Sequence, residues 1–273
     1  MDKHLVSIDD FDAIDRLELF SLVEILKGHQ SDFRYRLKGK ILTNLFYEPS
    51  TRTSSSFHAA MCKLGGEVIP INDVTYSSVA KGENLEDTIK TMNNFCDTIV
   101  LRSRNAGDAA IAAGVSDVPI INAGDGNGEH PTQTLLDLFT IYEKFGRTKN
   151  LKVTFIGDIK NGRTVKSLSK ALEKSNELTY RDTYNTDDLP KSDVYYFTRV
   201  QRERGSEGSY QMTIDMVNKM PKDCIVLHPF PRNEEIPKWF DKDPRSWYFK
   251  QMSNGLYVRM ALLIKMMKDE VIY

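Results

Sequence analysis

The feature that most constrains this chain is an alternation repeated along it. A short, nearly continuous apolar run leads into a polar loop, and then into a stretch whose apolar residues recur at helical spacing. Lys40 to Tyr47, Val68 to Ile71, Thr98 to Leu101 and Val118 to Ile121 are the apolar runs of the first half. Between them, Phe57, Met61 and Leu64 share one helical face within Ser54 to Leu64, and Gly65-Gly66 follow as a stop. Leu85, Ile89 and Met92 mark the next helix, Asp108 to Ala113 another, and Pro131 to Phe145 one opened by proline. Near-continuous apolarity is the signature of a strand covered on both faces. The βαβα order predicts right-handed crossovers and parallel sheets, with ligands beyond the carboxyl ends of the strands.

Before this pattern, Ser7 is positioned to cap a helix with Ala13, Leu17, Leu19, Phe20, Leu22, Val23 and Leu26 at helical spacing and Gly28 at its end. After Gly146 the pattern restarts. Val153 to Gly157 reads as a strand and is followed by a helix to Glu173. Val194 to Thr198 and Ile225 to Leu227 read as further strands, with helices around Met212 to Met220 and from Leu256 to Lys268. We find no internal repeat and no low-complexity segment. A length of 273 residues suits two domains of middling size.

The 37 basic and 38 acidic residues give a net charge of -1, so no global field favours nucleic acid or an anionic membrane, and any anion site must be local. Three widely spaced cysteines, Cys62, Cys96 and Cys224, form no CxxC pair, which argues against a disulfide framework or a zinc site and predicts reduced thiols in a cytoplasmic compartment. The first twenty residues lack a basic-then-apolar leader, and no apolar run approaches the ~20 residues of a spanning helix, so a soluble protein is expected.

Chemistry concentrates in the loops after strands. In Glu48-Pro49-Ser50-Thr51-Arg52-Thr53, a strand feeds a helix whose first N–H groups favour an anion. The hydroxyls of Ser50, Thr51 and Thr53 and the planar Arg52 fork can complete a phosphate cradle. Taken alone, this stretch is also a plain hydroxyl-rich helix cap. Thr75 to Glu83 carries a hydroxyl, Ser77, and an ammonium, Lys81, four residues apart, and Arg102 directly follows a strand. Asn122 to Gln133 combines glycines that admit a ligand to the backbone with His130 and Gln133 at a helix start. Asp158 to Thr164 departs from GxGxxG and no acidic residue ends a following strand, so dinucleotide binding is poorly supported. Arg163, Arg199 and Gln201 can instead clamp a dicarboxylate. His228-Pro229-Phe230-Pro231-Arg232 is a rigid turn whose carbonyls are open to a ligand amide.

Ser50-Thr51-Arg52-Thr53, Ser77 to Glu83, His130-Pro131-Thr132-Gln133 and His228 to Arg232, in this order, resemble the catalytic chains of aspartate carbamoyltransferases over nearly the whole length. The resemblance implies an α/β fold of two doubly wound parallel-sheet domains. The carbamoyl-phosphate domain would comprise residues 1–140 and 254–273, the last helix crossing back, and the aspartate domain residues 141–253. It implies a homotrimer with active sites shared between subunits, no metal or organic cofactor, and carbamoyl phosphate and L-aspartate as substrates. Regulatory chains are left open.

Position by position, it implies Ser50, Thr51, Arg52 and Thr53 on the phosphate, Thr53, Arg102 and His130 on the carbonyl oxygen, and Gln133 with the Phe230 and Pro231 carbonyls on the carbamoyl NH2. Arg163, Arg199 and Gln201 would take aspartate, with Ser77 and Lys81 reaching a neighbour's site and Glu48 positioned to pair with Arg163 or Arg204 when the domains close. Arg52, Thr53, Lys81, Arg102 and His130 would be the catalytic set. The chain departs from the family after Glu173, where only Ser175 to Asp187 precedes the segment from Asp188. Either the second domain is shortened by about one βα unit, a real deletion removing a strand from its sheet, or a disordered stretch of it is missing from this sequence; Gly205 to Gln211 is also short. An ornithine carbamoyltransferase would show His-Cys-Leu-Pro where this chain has His228-Pro229-Phe230-Pro231. A catalytically dead binding subunit would have no chemical reason to keep Arg52, Lys81, Arg102, His130, Arg163 and Arg199 together.

Overall fold

The structure, a computed structural model, describes residues 3–72, 82–182, 189–202, 205–206 and 208–267. It divides into two units: Met1–Leu135 with Gly255–Tyr273, and Leu136–Asn254. Both divisions fall inside helices, α5 (Pro131–Phe145) and α8 (Tyr248–Met266).

In the first unit, β1 (Ile41–Phe46), β2 (Glu67–Ile71), β3 (Thr98–Ser103) and β4 (Ile120–Asp125) form a parallel sheet in the order β2-β1-β3-β4. The helices α1 (Ala13–His29), α2 (Thr51–Lys63), α3 (Leu85–Met92) and α4 (Asp108–Val115) accompany it. β1, β3 and β4 are buried almost throughout, as their apolarity requires, and one core cluster joins Leu45, Ile89, Ile99, Leu101, Ala112 and Ile120. Phe57, Met61 and Leu64 are fully buried, and each such side chain contributes about 1.5–3 kcal/mol. Gly65 stops α2 at φ 84°; a Cβ there would lie 2.4 Å from the Arg34 carbonyl.

The start of the chain differs from expectation. Ser7 caps a separate 3-10 turn, Ile8–Asp10, while Asp12 caps α1, which buries Leu19, Phe20, Val23 and Leu26 but leaves Leu17 exposed and runs past Gly28 to His29. β4 runs four residues beyond Ile121, because the Leu5 segment pairs with its outer edge: Leu5 N–H donates to Ile120, Asn122 N–H donates back, and the Asn122 side chain reaches the Val6 carbonyl.

In the second unit, β5 (Lys152–Gly157), β6 (Glu177–Arg181), β7 (Val194–Thr198) and β8 (Ile225–Leu227) form a second parallel sheet in the order β6-β5-β7-β8. The helices α6 (Arg163–Leu172) and α7 (Ile214–Lys219) follow β5 and β7. Its core gathers Ile156, Tyr195, Phe197, Met212, Val226 and Phe240. The expected loss of a strand is corrected. β6 is present as an edge strand, Tyr180 stacking on Phe155 at 5.4 Å, and the connection from β6 to β7 is short. Its described end lies on the sheet: Ser192 Oγ is 2.7 Å from Thr154 Oγ1, and the Tyr195 hydroxyl donates to the Pro190 carbonyl at 2.7 Å. The last helix starts at Tyr248, eight residues before Leu256, because Gln251 and Asn254 are held by Asp137 and by Thr140 and Glu143. Among the described residues, no helix is long and apolar enough to cross a membrane.

Candidate active site

In the first unit, the loops after β1, β3 and β4 are tied into one assembly at the carboxyl edge. Register places Phe46 beside Arg102, and Tyr47 N–H donates to the Arg102 carbonyl while Arg104 Nε donates to the Tyr47 carbonyl. Asp125 is the central anchor, since its carboxylate accepts from the N–H groups of Gly107 and Glu129. Ser103 donates to Asp108. Glu129 in turn accepts from the Ser7 hydroxyl and the Ile8 N–H, both at 3.0 Å, so the beginning of the chain braces the loop that carries His130. These bonds hold the loops of the rim in place before any ligand arrives.

Ser50 takes the N-cap position of α2, with extended φ, and its hydroxyl makes no capping bond to the helix. Thr51 and Arg52 are exposed on the first turn, and Thr53 is buried. α2 is seated by Asn44 Nδ2 on the Ser54 carbonyl and by the Ser54 hydroxyl on Asn72. Arg102 Nη1 donates to the Ala123 carbonyl at 3.3 Å, and its Nε lies 3.2 Å from Glu48 Oε2. Glu48 is thus paired with Arg102; Arg204, one of the partners expected for it on domain closure, lies outside the described residues. His130 is buried, its Nδ1 3.3 Å from the Thr132 hydroxyl, and its carbonyl accepts from the N–H groups of Gln133 and Thr134 at the head of α5. Ser77 and Lys81 lie outside the described residues.

In the second unit, Gly157 ends β5 at φ 111°, where a Cβ would fall 2.2 Å from the Thr198 carbonyl; only glycine lets β5 and β7 approach this closely. Asp158 follows it, and sequence reasoning did not single it out. Its carboxylate accepts from the N–H groups of Asn161 and Gln201 and from the Ser206 hydroxyl, tying the loop that leads to Arg163 to the loop that bears Arg199 and Gln201. The only signal was an acid placed directly after a strand-ending glycine. Arg163 is buried at the first position of α6. Arg199 and Arg202 line a cavity of about 350 Å³ with Val200, Tyr210, Asn233, Glu234 and Glu235. Burial raises the Tyr210 phenol well above its ordinary range, so it stays a neutral donor, here to the Thr198 carbonyl at 2.6 Å. Arg232 is paired with Asp241 and lies over the Tyr248 ring.

Phe230 stands at φ 57°, which costs a non-glycine residue on the order of 1–2 kcal/mol, and its peptide bond to Pro231 is cis. Its ring is held edge-on by His228 at 5.3 Å and Tyr248 at 5.9 Å. His228 bonds Glu235, a residue the sequence did not flag. Burial works to raise the Glu235 carboxyl, but His228 and the Asn233 amide outweigh it and leave it below the ordinary carboxylate range. Among the described residues, no three His, Cys, Asp or Glu side chains are grouped to hold a metal.

The aspartate/ornithine carbamoyltransferase carbamoyl-P binding domain model matches residues 3–143, and the Asp/Orn binding domain model of the same family matches residues 177–266. The aspartate carbamoyltransferase catalytic subunit of Clostridium kluyveri is 40% identical, with 97% of this chain and 98% of that protein covered. That alignment runs over 299 positions, more than the chain's 273 residues, so the relative carries residues absent here. The catalytic subunit of M. jannaschii aspartate transcarbamoylase superposes with a TM-score of 0.88 at 40% identity, covering 100% of both chains. The Trypanosoma cruzi aspartate transcarbamoylase, solved in complex with carbamoyl phosphate and aspartate, gives 0.88 at 34% identity, covering 96% of this chain and 95% of that one. With half the chain matched by one family domain, most of the rest by its partner, and relatives aligned end to end, this chain belongs to the aspartate/ornithine carbamoyltransferase family.

Proposed function

We propose that this chain transfers the carbamoyl group of carbamoyl phosphate to the α-amino group of L-aspartate, giving N-carbamoyl-L-aspartate and phosphate for pyrimidine synthesis. The observation that carries the reading is the carboxyl rim of the first sheet, where a hydroxyl-lined helix start, Arg102 and His130 are joined by one set of loop bonds. The amine attacks the carbonyl carbon, a tetrahedral oxyanion forms, the nitrogen passes a proton to the phosphate oxygen, and phosphate departs as the dianion with the C–O bonding pair. Fixed donors suffice for this chemistry because charge builds on one oxygen and a dianion is expelled.

In this reading Ser50, Thr51, Arg52 and Thr53 bind the phosphate, Thr53, Arg102 and His130 face the carbonyl oxygen, and Gln133 with the carbonyls of Phe230 and Pro231 accepts the carbamoyl NH2. Arg163, Arg199 and Gln201 bind aspartate. Residues 1–140 with 254–273 form the carbamoyl-phosphate domain and 141–253 the aspartate domain. The enzyme works in the cytoplasm as a homotrimer in which a neighbour's Ser77 and Lys81 complete each site. Purified protein given both substrates should form carbamoyl-aspartate; product with ornithine and none with aspartate would overturn the assignment. Mixing His130→Ala and Lys81→Ala chains should restore activity in mixed trimers, and no recovery would count against sharing.

A further inference from the structure

We infer that His228 is a positioning residue for the carbamoyl end of the substrate. It is fixed as the neutral Nε2–H tautomer, so that its Nδ1 lone pair holds the Phe230 amide and with it the aim of the Phe230 and Pro231 carbonyls. The inference rests on the reading that those carbonyls accept from the carbamoyl NH2.

The tautomer follows from hydrogen-bond direction. Phe230 N–H donates to His228 Nδ1 at 2.9 Å, and a ring nitrogen that accepts carries no proton. Nε2 lies 2.7 Å from Glu235 Oε1, an oxygen that also accepts the Asn233 N–H at 3.1 Å, so the proton sits on Nε2. His228 is 1% exposed and Glu235 3%, which leaves water no easy route to replace either bond. The other side of the residue is equally determined. His228 N–H donates to Gln251 Oε1 at 2.9 Å, Gln251 Nε2 donates to Asp137 Oδ1 at 2.6 Å, and Asp137 Oδ2 accepts from the Tyr196 hydroxyl at 2.7 Å. Glu235 and Asp137 therefore bracket the chain of bonds as acceptors, and every group between them has one allowed sense. Reversing any of them would strand a buried donor.

A histidine that merely filled the core would need its two ring nitrogens satisfied by any partners. Here one of them takes the amide of a residue at φ 57°, immediately before the carbonyls assigned to the substrate. Protonating or removing Nδ1 frees that amide, and the turn then loses the bond that opposes relaxation of Phe230 out of the left-handed region.

The test compares His228→Asn, whose side-chain oxygen can stand near the Nδ1 position, with His228→Gln, whose amide reaches toward Glu235 but leaves the Phe230 N–H without its acceptor. Acetyl phosphate, with a methyl group where carbamoyl phosphate has NH2, reports whether the carbonyls grip that NH2 at all. The wild-type enzyme should bind carbamoyl phosphate more tightly than acetyl phosphate. His228→Gln should raise the KM for carbamoyl phosphate about tenfold and narrow that preference, with inhibition by inorganic phosphate unchanged, whereas His228→Asn should stay within about threefold of wild type. If the wild type shows no preference between the two acyl phosphates, the reading of the carbonyls fails. If it shows the preference and both variants keep it or lose it equally, the positioning role of His228 is overturned. Nitrogen-15 NMR of the wild-type imidazole covers the case of unfolded variants: a protonated Nδ1 would sink the inference, and a bare Nδ1 with a protonated Nε2 supports it.

Discussion

The two sheets share one strand order, the second strand outside the first and the third and fourth on its other side, yet they are finished differently. The route from β2 to β3 includes α3, whereas β6 reaches β7 through residues 182–193, about the shortest span a parallel crossover can use. Thr154, Ser192, Pro190 and Tyr195 make the contacts on the described part of that short link. The loops that bear Arg163, Arg199, Gln201 and Phe230 all follow other strands and keep their anchors. The contrast shows that a doubly wound sheet can shed length in a crossover while the strand-end loops that carry its chemistry stay built.

That contrast can be broken most sharply at the first rim. His130→Ala should lower kcat by roughly 10²–10³ through loss of one fixed donor, with a thermal midpoint near that of the wild type; a large fall in the midpoint would make the residue structural instead. Arg199→Ala should raise the KM for aspartate by at least about tenfold while leaving inhibition by phosphate alone. Equal damage to both substrates would erase the division of labour between the sheets. Thr154→Val should cost about 1–2 kcal/mol, since it leaves the Ser192 hydroxyl buried without this partner, and amide exchange should quicken in the second sheet but not the first.

Two smaller effects sharpen the picture. Glu235 is held below its ordinary value, so its contribution to stability is present above the unfolded-state pKa of about 4.5 and is lost as pH falls through the lower folded value. Below about pH 4.5 the wild type should therefore lose stability that Glu235→Gln lacks at every pH, and the midpoints of the two should converge on acidification. Burial raises the Cys96 thiol and lifts Cys224 to about 12, while Cys62 is exposed. Native protein should take up one equivalent of an alkylating reagent, and under mild denaturant the order in which Cys96 and Cys224 react shows which unit opens first.

Much of this was legible in advance because the signals were local. Val194–Thr198, Ile225–Leu227 and Pro131–Phe145 fall where their periodicity placed them, and the site loops follow strands as the alternation required. What escaped depends on partners distant in sequence. Glu177-Leu178-Thr179-Tyr180-Arg181 is half exposed and polar at both ends, so nothing but its pairing with β5 marks it as a strand. Asn122 to Asp125 reads as loop until the Leu5 segment supplies its outer bonds, and Ser253-Asn254-Gly255 reads as a break until Thr140 and Glu143 hold Asn254. Within the site, the charged and hydroxyl residues declared themselves by chemistry. Asp137, Asp158, Glu235 and Gln251 did not, because their roles lie in whom they bond, up to 114 residues away.

The closing of the first unit by both ends of the chain bears on how the protein is born. Leu5 bonds to Ile120 and Asn122, and α8 places Lys265 against Glu18 and Arg259 over Phe57, so this unit draws on residues from the first turn to the last helix. A ribosome releases those last residues only after Leu136–Asn254 has emerged. The outer edge of β4 can be paired early, but the contacts of Lys265 with Glu18 and of Arg259 with Phe57 cannot form until the second unit has been synthesised, so the first unit cannot lock before that point.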